Sequence, residues 1–230
     1  IVGHVTKQAA QSTGLKAGTP VAAGAIDTIS ATIGAGAVNP GDCAITIGSS
    51  GRICQISKDP VFKPHILSTA SAFPNLFTAV QTTDNAGISL KWFRDTFGKM
   101  VLPDALSAGI SVYDQMNRLC VQSQPGAKGL IYLPYLSGEK SPIWDPKARG
   151  TFFNINLDTT YSDFIRAVME GVAFSIRHCM EMIDTTENDS PIPIGGGIAK
   201  NDIWCQIFAD ILNRPIVQLA TEETETLGDI

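Results

Sequence analysis

No stretch of this sequence approaches the roughly 20 consecutive apolar residues that a membrane helix needs. The N-terminal stretch IVGHVTKQAAQSTGL lacks a charged region followed by an apolar one, so it does not read as a signal peptide. The five cysteines, Cys43, Cys54, Cys120, Cys179 and Cys205, form no C-x-x-C pair and no zinc-type spacing. Their odd number and wide spacing argue for buried or free thiols in a reducing compartment, hence a cytoplasmic protein. Lys and Arg (17) are outnumbered by Asp and Glu (22), and no basic cluster occurs, so nothing points to a nucleic-acid partner. A Walker-type phosphate loop is absent, because no glycine loop leads into Gly-Lys-Ser/Thr. The dinucleotide pattern G-x-G-x-x-G fails after Ile194, because Lys200 stands where its last glycine belongs. There is no internal repeat and no low-complexity tract.

What remains is ordinary globular composition: 230 residues, 44% hydrophobic and 17% charged. That length allows one large domain or two smaller ones, with a core that needs no disulfide staples. The chain lacks an initiator Met and stops in an apolar phrase after Gly228, so both ends read as cut from something longer. Val21–Ala23 reads as a short buried strand, and DTISATIGAGAV as a tightly packed helix. CAITIGSSGRICQIS, from Cys43, reads as a hairpin, with HILSTASA and LFTAVQTT as two further strands of the same meander. The period then becomes helical, at 86–97, in one helix after Pro103, and most strongly over 161–184. GLIYLPYL, PIPIG and RPIVQLA read as strands, and the segment from Asn201 as an amphipathic helix. A meander followed by alternating helices and strands predicts an α/β domain with a mixed sheet.

Two features could carry chemistry. Asp27 is the one charged residue between Lys16 and Asp42. By itself it reads as a helix N-cap. Three glycine turns, in ITIGSSG, TTDNAGISLKW and PIPIGGGIAKND, each follow an apolar strand. Glycine there lets backbone N–H groups approach a ligand, and a following helix N-terminus favours an anion. Each turn alone reads more readily as a plain tight turn than as a ligand site.

In their order, STGLKAGTPVAAGAIDTISATIGAGAVNPGDCAITIGSSG, LPYLSGEKSPIWDPKARGTFF, RAVMEGVAFSIRH and GGGIAKNDIWCQIFADIL resemble the C-terminal half of the FGGY carbohydrate kinases. The resemblance implies an actin/RNase-H-like ATPase domain, here 39–230, preceded over 1–38 by the end of a sugar-binding domain and a hinge. It implies ATP and Mg as cofactors and transfer of the γ-phosphoryl to a hydroxyl of a sugar or polyol, with a pentulose such as xylulose first. It allows a homodimer. Asp27 falls at the family's catalytic aspartate, the general base, and is offered to the metal through a water. As a lone acid among small apolar residues it is expected to be partly desolvated. Gly48 and Ser49 fall at the turn meeting the β- and γ-phosphates. Gly87 and Lys91 fall beside the nucleotide, and Gly196, Gly197 and Asn201 at the adenosine. Asp145 and Arg149 are expected to tie down their loop.

The chain departs from the family pattern in lacking an Asp-x-Gly-Thr turn and in the Ile26-Asp27-Thr28 context, which leaves the acceptor open. LGDI stands where a last helix would begin, so the chain is expected to hold half a cleft and to be inactive alone. A non-catalytic actin-like nucleotide-binding module is the alternative reading. Trp92 and Trp204 read as core residues rather than base-stacking platforms, Glu170 as a solvated or salt-bridged mid-helix residue, and His178 as a packed or partly exposed helix residue. His4 and His65 lie near no candidate ligand.

Overall fold

The computed structural model describes residues 1–183, 189–220, 224 and 228. An N-terminal arm holds β1 (Gly3–His4), α1 (Lys7–Thr13) and β2 (Pro20–Val21), with β1 antiparallel to β2. None of residues 1–28 is buried. The strand expected at Val21–Ala23 is therefore shifted and exposed, because its partner is the two-residue β1 and no sheet covers it. Packing starts with α2 (Asp27–Gly34), whose Ile29, Ser30, Ala31 and Thr32 are buried.

The hairpin follows as β3 (Cys43–Ile47) and β4 (Gly51–Ser57), in a register that pairs Ile47 with Gly51. Next come β5 (Leu67–Ala70) and β6 (Phe77–Thr83). They extend the same antiparallel sheet, but not as a simple meander: β6 pairs with β4, and β5 lies outside it. The longer and more buried β6 takes the inner place, and the exposed β5 takes the edge.

Helix α3 (Gly87–Phe97) follows, then α4 (Leu102–Ala108) and α5 (Val112–Cys120). The single helix expected after Pro103 is thus two. Gly109 ends α4 in the left-handed region, and Ser111 with Asp114 opens α5 as a reciprocal capping box. Strand β7 (Ile131–Leu133) pairs, among the described residues, with β8 (Thr151–Phe153) alone, apart from the main sheet. Helix α6 (Tyr161–Ile183) leads to β9 (Ile192–Gly196), α7 (Asp202–Leu212) and β10 (Ile216–Gln218). Residue 184, expected to close α6, lies outside the described residues, as does most of the LGDI segment.

The main sheet has the order β10-β9-β3-β4-β6-β5. Strands β10, β9 and β3 are parallel neighbours, whereas β4 is antiparallel to both β3 and β6. Strands β3, β6 and β9 therefore run in one direction and end at one edge of the sheet. Both faces are covered. Ile45, Ile47 and Ile53 join Val168, Val172, Ile176, Ile207 and Phe208 in the larger core, while Ala37, Ala44 and Ile56 form a smaller cluster. Each large aliphatic side chain buried this way contributes roughly 1.5–3 kcal/mol.

Candidate functional site

The three glycine turns follow β3, β6 and β9, so the common strand direction delivers them to one edge. Gly48, Ser49, Gly87, Lys91, Gly197 and Asn201 line a single cavity of about 380 Å³. Gly196 stands just behind it in the left-handed region at φ +81°, and a Cβ there would lie 2.4 Å from the Ile47 carbonyl oxygen. A side chain at this position would force β9 away from β3.

The turn after β3 is held by the start of α3. Gly87 N–H donates to the Gly48 carbonyl at 3.0 Å, and Ile88 N–H to the Ser49 carbonyl at 3.1 Å. A trans peptide points its N–H opposite to its C=O. With both carbonyls facing α3, the N–H groups of Ser49 and Ser50 point away from it. Gly48, Ser49 and Ser50 are all exposed.

Asn201 works on two sides. Its Oδ1 accepts from Trp204 N–H at 3.0 Å and caps α7, while its Nδ2 donates to Asn117 Oδ1 at 3.0 Å. Tyr113, Asp114 and Asn117 of α5 complete that wall of the cavity. The sequence reading treated α5 only as a helix and missed them. The S-x-x-D box at Ser111–Asp114 was the available signal that a helix starts there. Trp204 is buried as expected, with its indole N–H on the Met169 carbonyl at 3.0 Å, yet its edge also reaches the cavity.

Asp27 is not among the residues lining this cavity. It is exposed, so the expected desolvation is absent from this chain: the arm before it buries nothing. It is also not the N-cap. Ile26 holds that place with extended backbone, and Asp27 is the first helical residue, its Oδ1 accepting from Thr28 N–H and Oγ1. A carboxylate in the first turn still favours the helix dipole.

The chain matches the model of the FGGY family of carbohydrate kinases, C-terminal domain, over residues 43–230. It belongs to that family. It is 33% identical over 233 residues to a gluconokinase of Bacillus licheniformis, covering 99% of this chain and 45% of that protein. It is 33% identical over 231 residues to a xylulose kinase of Bacillus subtilis, covering 99% and 44%. The crystal structure of xylulose kinase from Rhodospirillum rubrum superposes with a TM-score of 0.86 at 31% identity, covering 100% of this chain and 45% of that one. This FGGY chain thus spans less than half the length of these relatives. Its mixed sheet flanked by helices is that of the actin/RNase-H-like ATPase fold, as the resemblance implied.

In this FGGY domain the loop after β7 is anchored differently from the sequence expectation. Asp145 and Arg149 are exposed, and their side chains bond, among the described residues, to Lys147 N–H and to the Pro146 and Ala148 carbonyls, while the Asp145 carbonyl accepts from Glu139 N–H at 2.9 Å. The side chain that ties the loop to the sheet is Glu139, 4% exposed, which accepts from Thr83 at the end of β6 and from Asp84 just after it, beside a backbone bond from Ser141 N–H to the Thr82 carbonyl at 3.1 Å. Glu170 is likewise buried, paired with Arg166 at 2.7 Å and accepting from Gly126 N–H at 2.9 Å, while His178 is exposed. No helix among the described residues is long and apolar enough to cross a membrane. The described cysteines are all free and buried.

Proposed function

We propose that this chain is the nucleotide-binding half of an ATP-dependent carbohydrate kinase that phosphorylates a hydroxyl of a sugar or polyol. The observation that carries the proposal is the meeting of three glycine turns, remote in sequence, on one cavity in a chain of this family. In this reading the Ser49 and Ser50 N–H groups meet phosphate oxygens at the turn after β3. Gly87 and Lys91 stand beside the phosphates. Gly196, Gly197 and Asn201 hold the adenosine. Asp27 accepts the proton of the attacking hydroxyl, and residues 1–38, whose first 28 bury nothing, form the junction to the sugar-binding half.

Mg²⁺ is usually held by one or two carboxylates plus substrate phosphates and water. Asp27, an exposed carboxylate at the start of α2, is the residue that would offer such a ligand, through a water. The ion, when bound, neutralises charge on the phosphates. The work left to the protein is positioning, and a carboxylate at the acceptor hydroxyl. A non-catalytic module is not favoured, because the relatives are carbohydrate kinases. Among acceptors, xylulose comes first and gluconate second. Titration calorimetry of the 230-residue chain with ADP tests the cavity: absence of binding would overturn its assignment. A panel of sugars and polyols with the complete kinase tests the acceptor, and phosphorylation of none of them would overturn the kinase reading.

A further inference from the structure

Glu139 is a buried carboxylate that the proposed chemistry does not use. Its Oε2 accepts from Thr83 Oγ1 at 2.7 Å and Asn85 Nδ2 at 3.4 Å, and its Oε1 from Asp84 N–H at 2.7 Å and Lys140 N–H at 2.9 Å. The Asp84 and Lys140 N–H groups and the Asn85 amide can only donate, so a carboxylate that accepts on both oxygens satisfies all of them, with the Thr83 hydroxyl as a further donor. Burial pushes the carboxyl pKa up, against the pull of these four bonds. Asn85 adds a second tie, with its Nδ2 on the Gly138 carbonyl at 2.7 Å and its Oδ1 accepting from Ser137 N–H and Oγ.

The clamped segment continues directly into the cavity wall. One end of residues 83–88 is fixed to Glu139, and the other donates from Gly87 and Ile88 to the Gly48 and Ser49 carbonyls. Between them, Thr83 and Ala86 press on the same turn: a Cβ on Gly51 would stand 2.9 Å from Thr83 Cγ2 and 3.0 Å from Ala86 Cβ. Ser89 Oγ donates to the Asn85 carbonyl at 2.7 Å, which takes slack out of the start of α3. We infer that Glu139 is a positioning residue for the 48–51 turn, acting through the 83–88 bracket to hold that turn against the cavity. Its importance for ligand binding rests on the reading of this turn as the phosphate site; the bracket itself does not.

Amide hydrogen exchange of the 230-residue chain without nucleotide, with ADP calorimetry alongside, tests this. In Glu139→Gln the amide N–H₂ faces the Asn85 N–H₂, and that mismatch with the loss of charge-assisted bonds should cut protection at Gly87 and Ile88 by roughly 10- to 100-fold. Ile45 and Ile53 in the central strands should keep theirs, and ADP affinity should fall. Thr83→Val removes one donor and keeps the carboxylate. It should give a smaller loss at the same amides, and it decides the matter if the Gln variant does not fold. Loss confined to 137–145, or spread evenly over the chain in both variants, would overturn the inference. If the unaltered chain binds no ADP, the nucleotide reading fails on that result alone, and the exchange data still decide the bracket.

Discussion

Asn201 Nδ2 and Asn117 Oδ1, 3.0 Å apart, join the start of α7 to α5 across one wall of the cavity. The same Asn201 caps α7 through its other amide atom. The two roles can be separated. Asn201→Ser keeps a capping oxygen but does not reach Asn117, so stability should change by only a few tenths of a kcal/mol from the cap itself. Asn201→Ala should lose both, at a cost of about 1–2 kcal/mol. Both variants should bind ADP more weakly than the unaltered chain. Thermal melts and calorimetry on the pair check this, and a Ser variant with unchanged ADP affinity would remove Asn117–Asn201 from the binding wall.

Gly87 and Gly197 both line the cavity, but they should fail in different ways. A Cβ on Gly87 would sit 2.2 Å from the Gly48 carbonyl oxygen, whereas one on Gly197 meets nothing within 4 Å. Gly87→Ala must push α3 off the turn, so it should lower the melting temperature as well as nucleotide affinity. Gly197→Val projects into open cavity space. It should leave the melt within about 0.5 kcal/mol of the original, as neutral surface changes do, while weakening ADP. Equal melting losses in the two variants would contradict the geometry.

A stability prediction concerns Asp163 at the start of α6. Although it is buried, bonds from Ser123 Oγ, from Thr160 N–H and Oγ1, and from Lys128 outweigh desolvation and hold its pKa well below the usual carboxylate range. A carboxyl with a lowered folded pKa contributes stability that is present above its unfolded value of about 3.9 and lost as the pH falls below it. Asp163→Asn should therefore cost about 2–3 kcal/mol at pH 7, with the gap to the unaltered chain narrowing near pH 3. Urea melts at the two pH values measure it, and a gap that stays constant would show that the charge is not the cause.

How legible these features were depended on how local they are. The hairpin Cys43–Ser57 declares itself by alternation around a glycine turn, and α6 by a long 3.6-residue period. The place of β6 between β4 and β5 does not, because pairing order is decided by burial of whole strands rather than by any one phrase. The break at Gly109 was readable in principle, since a left-handed glycine and an S-x-x-D box stand side by side. In the candidate site, the glycine turns could be found because each follows an apolar strand. Glu139 could not: its Thr83 partner is 56 residues away. Asn117 meets Asn201 across 84 residues and carries no local mark. Asp27 was found, but its expected burial was not realised, because an isolated acid in an apolar phrase says nothing about whether that phrase is covered.

The last prediction tests Asp27 as the base in the complete kinase. The structure removes the capping explanation, since Ile26 is the N-cap and, among the described residues, the Asp27 carboxylate bonds to its neighbour Thr28. What remains for a purely structural role is a first-turn charge, worth about 0.3–1 kcal/mol at an exposed site. Asp27→Asn and Asp27→Ala should therefore both melt close to the original. If Asp27 accepts the hydroxyl proton, both should lower kcat by roughly 10²–10⁴, because neither side chain takes a proton near neutral pH. ADP affinity should barely move, since the cavity that brings the glycine turns together does not include this residue. Steady-state kinetics, melts and ADP calorimetry on the two variants separate the possibilities. Near-normal kcat in the Asn variant would rule Asp27 out as the base, and a fall in ADP affinity that matches the fall in kcat would make it a binding residue instead.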